Sequence, residues 1–192
     1  MKITKVTEDA VATLLDDLLK RSPNNYTGYA DKVQAIIDDV RERGDEALFE
    51  MTKRFDGADL NADNIRVTQA EIDEAYTLVD ASLIEVIRKA MTNIRVYHEK
   101  QRQYGWFDTT PDGTILGQKV TPLQSTGVYV PGGKAAYPSS VLMNVIPAKV
   151  AGVEKIVMVT PPTENLNQAV LAAAKIAGVD RVIGVGGVQA VA

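Results

Sequence analysis

Two glycine-rich turns carry the side chains best suited to chemistry in this chain. In the first, Gly127-Val-Tyr-Val-Pro-Gly-Gly133, a β-prone run empties into Pro131-Gly132-Gly133. The second is Gly184-Val-Gly-Gly-Val-Gln189. Glycine lacks a Cβ, so at such turns the backbone can approach a ligand closely. Tyr129, at the end of the first run, could stack on or hydrogen-bond to a flat ligand, and Gln189 offers an amide from the second turn. A dinucleotide-binding fingerprint reads G-x-G-x-x-G, followed by an acid that holds the ribose. Here Gln189 stands where the last glycine belongs, and no acid follows the first strand at the ribose-binding place. On residue types alone the turns fit either a polar or anionic ligand or plain chain reversal. Lys134, past the diglycine, could meet a phosphate or simply stay solvated.

Other chemistry is thinly supplied. His98 is the only histidine and there is no cysteine, so multi-histidine and thiolate metal sites, a Cys nucleophile and disulfides are excluded for this chain. The lone histidine reads as structural. Carboxylates are plentiful but sit mainly on helix faces, where solvation explains them. Ser139 and Ser140 stand where they would cap a following helix, and no Ser-His-Asp arrangement is visible.

The turns need strands and helices to position them. From Thr126 to Val185 the pattern is strand, helix, strand, helix, strand. Residues 141–150 form an apolar helix that must accommodate Pro147, 155–160 a buried-type strand, 165–177 a helix and 181–185 the next strand. Within this half Lys149-Val-Ala-Gly-Val-Glu-Lys-Ile-Val157 matches Lys175-Ile-Ala-Gly-Val-Asp-Arg-Val-Ile183 in residue class, position by position. Each copy is a helix end, a left-handed glycine, an acid and a strand start, as successive βα units require. The apolar strands suit a parallel sheet covered on both faces. The fold class is therefore α/β: a helical N-terminal region, 1–110, leading into a partial Rossmann-like unit, 111–192.

The N-terminal region is read as a packing or dimer-forming layer without a reactive cluster. Apolar spacing of three and four predicts helices over 7–20 and 33–51, the latter weakened or kinked near Gly44 and stopped at Phe55-Asp-Gly57. Thr68-Gln-Ala-Glu71 has the form of a capping box before a helix, and another helix follows, its last turn extended by His98 and Gln101. Residues 103–110 are expected as a loop with Trp106 and Phe107 plugged into a neighbour, and 114–122 as a strand.

Apolar residues at 45% and charged residues at 24% are ordinary for a globular chain of 192 residues. The net charge of −4, without a basic cluster, argues against a nucleic-acid surface. No stretch approaches the roughly 20 apolar residues of a bilayer span, and the N-terminus lacks a signal-peptide core. A soluble, cytoplasmic protein is expected. Because Gly186-Gly-Val-Gln-Ala-Val-Ala192 stops as a helix begins, the chain reads as truncated, with an apolar edge exposed over 182–192.

Several separated motifs resemble one family, histidinol dehydrogenase. Arg41-Glu-Arg-Gly-Asp-Glu-Ala-Leu48 with Thr52-Lys-Arg-Phe-Asp56 resembles its N-terminal helix, and Asn93-Ile with Tyr97-His98-Glu-Lys-Gln101 a second segment. Gly127 to Gly133, Tyr137 to Met143 and Pro147 to Gly152 resemble its central signature, and Gly186 to Ala192 its "GGAQAIAA" turn, with Val188 in place of alanine. The resemblance implies a zinc-dependent homodimer that oxidises L-histidinol to L-histidine through histidinal with two NAD. It further implies that Tyr129 and Gln189 match NAD-contacting positions, and that the zinc ligands and the Glu-His acid–base pair lie beyond Ala192. The isolated chain is then expected to be inactive. Two other readings stand beside it: a related NAD-dependent alcohol dehydrogenase, for example one acting on a sulfonated diol, and a non-catalytic dimerisation or binding module.

Overall fold

The computed structural model describes residues 5, 7–11, 27–132, 137–162 and 166–192. The helix expected over 7–20 falls mostly outside these, although 8–11 are helical. The amphipathic stripe over 33–51 is divided between two helices, α1 (Thr27–Arg43) and α2 (Asp45–Asp56). Gly44 separates them with φ 59° and ψ −131°, so the chain turns where a kink was expected. Its N–H still donates to the Val40 carbonyl at 2.8 Å and its carbonyl accepts from the Leu48 N–H at 3.2 Å, so the break leaves its own amide groups bonded.

A two-residue strand, β1 (Arg66–Val67), precedes helices α3 (Gln69–Leu78) and α4 (Ala81–Glu99). The capping box is present: the Glu71 N–H donates to Thr68 Oγ1 at 3.2 Å, and the Thr68 N–H donates to Glu71 Oε2 at 2.7 Å. Asp80 caps α4 through the Ser82 N–H at 2.7 Å.

Residues 103–110 are not a plain loop. Strand β2 (Trp106–Thr109) pairs antiparallel with β3 (Ile115–Gln118). The Thr110 N–H to Thr114 carbonyl bond, 2.9 Å, and the Pro111-Asp-Gly113 turn close this hairpin. Trp106 and Phe107 are exposed, at 56% and 69%, rather than plugged into a core. A turn signal beside a short mixed run was the clue to the hairpin.

The remaining elements are β4 (Ser125–Tyr129), α5 (Pro138–Ala151), β5 (Lys155–Thr160), α6 (Gln168–Ala177), β6 (Arg181–Gly184) and a 3-10 turn, Val188–Ala190. Helix α5 starts at Pro138 after Tyr137, so Ser139 and Ser140 lie inside its first turn and do not cap it. Pro147 is carried within α5. Helix α6 starts after Asn167, whose Oδ1 accepts from the Ala169 and Val170 N–H groups.

Strands β4, β5 and β6 are parallel and adjacent in that order, and β1 pairs antiparallel with β6. Right-handed crossovers between strands in sequence order put both connecting helices on one face. That face is closed: Val128, Ile156, Met158 and Val182 are buried with Val145 and Ile146 of α5 and Leu171 of α6. Ile72, Ala75 and Ile87 of α3 and α4 join the same core. The opposite face, with Tyr129, Val159 and Ile183 in one register row, is only half-covered. Coverage on both faces is thus not found among the described residues. Nor is there an open apolar edge over 182–192: β1 pairs with β6, and Val182 and Val185 are buried, leaving Val191 exposed.

The two matching joints are built alike. Gly152 (φ 90°) and Gly178 (φ 77°) are both left-handed. The next N–H, of Val153 or Val179, donates to Ala148 or Ala174, both at 3.0 Å, and the glycine N–H donates to Lys149 or Lys175, which is the Schellman pattern. Asp180 ties the joints together, accepting from the Ile156 N–H at 2.7 Å and lying 3.6 Å from Lys149 Nζ.

Candidate functional site

Three loops meet beyond the carboxyl ends of β4, β5 and β6, the end of a parallel sheet where ligands collect. Pro161, following β5, sits between the other two. A Cβ on Gly186 would come within 2.5 Å of Pro161 Cγ, and one on Gly132 within 3.3 Å of Pro161 Cβ and Cδ. The close approach that these glycines permit is therefore made by a proline of the same chain. Gly133 and Lys134 lie outside the described residues.

Tyr129 ends β4 on the half-covered face and is 38% exposed. Its ring reaches past β5, and its Oη accepts from the Gly187 N–H at 3.2 Å, 58 positions away in sequence. This bond joins the first and third loops. Beside it opens a cavity of about 580 Å³ walled by Val33, Ile37 and Arg41 of α1 and by Tyr129, Gly187, Val188 and the last two residues. Helices α1 and α2 both pack on the 3-10 turn that follows, which fixes this wall.

Gln189 is placed differently. It is 2% exposed and is not part of the cavity wall, and its Nε2 is buried without a hydrogen-bond partner. A buried amide donor left unpaired costs about 1–3 kcal/mol, so it calls for an acceptor. The two side chains singled out in the sequence are thus brought to one loop cluster, with Tyr129 on the cavity and Gln189 behind it.

Sequence reasoning missed the contribution of α1, having read the first hundred residues as packing without reactive groups. A signal was present: Val33, Ile37 and Arg41 recur every four residues, so a cation continues an apolar stripe. Two residues on, Arg43 is held by Asp39 (2.6 Å) and Glu50 (2.9 Å), and its hydrogen bond holds the Asp39 carboxyl below the ordinary carboxylate value.

The cavity fits part of a dinucleotide: it has an aromatic side chain, apolar walls, a cation and a nearby unpaired amide donor. Zinc finds no such fit, because no group of three or more His, Cys, Asp or Glu side chains gathers as a metal site among the described residues. His98 instead bonds locally, with Nδ1 2.7 Å from Gln101 Oε1. No helix of the described residues is long and apolar enough to cross a membrane.

The family model for histidinol dehydrogenase matches residues 19–192. A histidinol dehydrogenase of Heliobacterium mobile is 50% identical over 179 residues, covering 92% of this chain and 42% of the relative. One of Pseudomonas putida is 54% identical over 180 residues, covering 93% and 41%. Among solved structures, that of histidinol dehydrogenase from Elizabethkingia anophelis superposes with a TM-score of 0.78 at 36% identity, covering 85% of this chain and 38% of the other. The chain spans about two-fifths of the length of these relatives. With the family model matched along nearly its whole length, the chain belongs to the histidinol dehydrogenase family.

Proposed function

We propose that this chain supplies the N-terminal, NAD-binding part of an enzyme that oxidises L-histidinol to L-histidine through histidinal. The observation that carries the reading is Tyr129 on the 580 Å³ cavity, bonded across the sheet end to Gly187. NAD, when bound, would accept hydride in each of two successive oxidations. Tyr129 would present its ring to the cofactor while its hydroxyl holds the Gly187 loop in place. Gln189, whose Nε2 lacks an acceptor, would donate to a polar atom of the cofactor after a small movement of the 3-10 turn. In this reading residues 1–110 form the packing layer, which also supplies one cavity wall, and 111–192 form the cofactor-binding part.

Oxidising an alcohol also requires a group that takes the hydroxyl proton, and in this family a metal that polarises the oxygen. The described residues gather no donor set for zinc. The 192-residue chain alone is therefore expected to form no NADH from histidinol with zinc supplied. Calorimetric titration of NAD tests the site: Tyr129→Ala should weaken binding by about tenfold or more. Tight binding unchanged by Tyr129→Ala would remove the assigned site, and turnover by the isolated chain would overturn the division of labour. A homodimer in the cytoplasm completes the proposal; analytical ultracentrifugation of the chain reports the first.

A further inference from the structure

We infer that Arg41 is the phosphate-recognition residue of this cavity, its guanidinium engaging the diphosphate of the dinucleotide; the inference rests on the NAD reading above. Arg41 is the single charged side chain among the eight residues that wall the cavity. It has no ion pair or hydrogen bond among the described residues, although acids lie within four positions on its own helix at Asp38, Asp39, Glu42 and Asp45. Arg43, by contrast, is fully engaged by two carboxylates. The same helix therefore carries one arginine locked in place and one left available at the cavity.

In the loop after β6 the Gly187 amide is already engaged within the chain. Fingerprint folds place the phosphates at the start of a long helix, where unpaired N–H groups and the helix dipole meet the charge. The space beside Gly186 that a side chain would take is filled by Pro161. The Gly187 N–H is already given to Tyr129. Two negative charges entering a protein of net charge −4 need a local cation, and a planar guanidinium can bind phosphate oxygens through two parallel N–H bonds. With Arg41 and Tyr129 on one cavity, the arginine would take the diphosphate and the tyrosine a ring.

The test compares ligands with and without phosphate. NAD, ADP and adenosine are titrated calorimetrically into the chain and into Arg41→Gln, Arg41→Lys and Tyr129→Ala, with thermal melts confirming that each variant is folded. Arg41→Gln should weaken NAD and ADP by about tenfold to a hundredfold, leave adenosine unchanged and flatten the salt dependence of NAD affinity. Arg41→Lys should fall between, since it keeps the charge and loses the fork. Equal loss for adenosine and NAD would overturn the inference in favour of a structural role. NAD binding lost in Tyr129→Ala and unchanged in Arg41→Gln and Arg41→Lys would overturn it while the cofactor site stands. If the folded wild-type chain binds none of the three ligands, the cofactor reading fails and this inference with it.

Discussion

The two ends of the parallel sheet are built on opposite plans. At the amino end, two copies of one joint close α5 and α6, each with a left-handed glycine and the same pair of backbone bonds, and Asp180 links them. At the carboxyl end three unlike loops meet, with Tyr129 38% exposed, Gln189 Nε2 unpaired and a cavity alongside. One end satisfies its polar groups and repeats the solution. The other leaves groups available, and that is where a ligand can be recognised. Glycine marks both ends for different reasons. At Gly178 the constraint is the backbone angle, with the nearest atom to an added Cβ at an ordinary 3.7 Å. Gly186 has no unusual φ, and its constraint is the proline pressed against it.

The contrast can be broken by substitution. Gly186→Ala should be the more damaging change, costing about 2–3 kcal/mol of stability by overpacking against Pro161 and loosening the binding end. Urea denaturation measures it, and a loss below that of Gly178→Ala would show that the carboxyl-end loops yield easily. Gly178→Ala should cost about 1 kcal/mol through left-handed strain alone and leave ligand binding unchanged.

The smallest effect concerns the capping box. Hydrogen bonds from Thr68, side chain first and then backbone, hold the Glu71 carboxyl below its ordinary value. A depressed folded-state pKa contributes stability above the unfolded pKa, and that contribution is lost as pH falls through the folded value. Glu71→Gln keeps an acceptor and removes the charge. Its melting temperature should lie slightly below that of the parent near neutral pH and converge with it in acid. A constant gap across the pH series would mean that the charge contributes nothing.

Much of this was legible in the sequence because it is encoded locally. Thr68 and Glu71 are three positions apart and bond each other's backbone. The matched joints show in composition because a left-handed residue after a helix favours glycine wherever the chain is heading. The α/β class followed from those joints and from apolar strands of the right length. Less was visible where an element depends on a distant partner. Residues 66–67 form a strand only because β6 lies beside them, and two residues are too few to show a period. The hairpin at 106–118 was half-read, since its strand residues are exposed on both faces and alternate weakly.

The site divides the same way. Sequence alone picked out Tyr129 and Gln189, because strand ends and turns of a parallel sheet can be located from pattern. It also excluded a thiolate or multi-histidine centre, because the residues are absent from the chain. Only the tertiary structure decided that Tyr129 bonds Gly187, that Gln189 is turned inward, that Pro161 fills the space the glycines open, and that α1 brings Arg41 to the cavity. The reason is physical: local spacing fixes which face of an element is apolar and how its ends satisfy their amides, whereas the chain must close on itself before residues 41, 129 and 187 can share one wall.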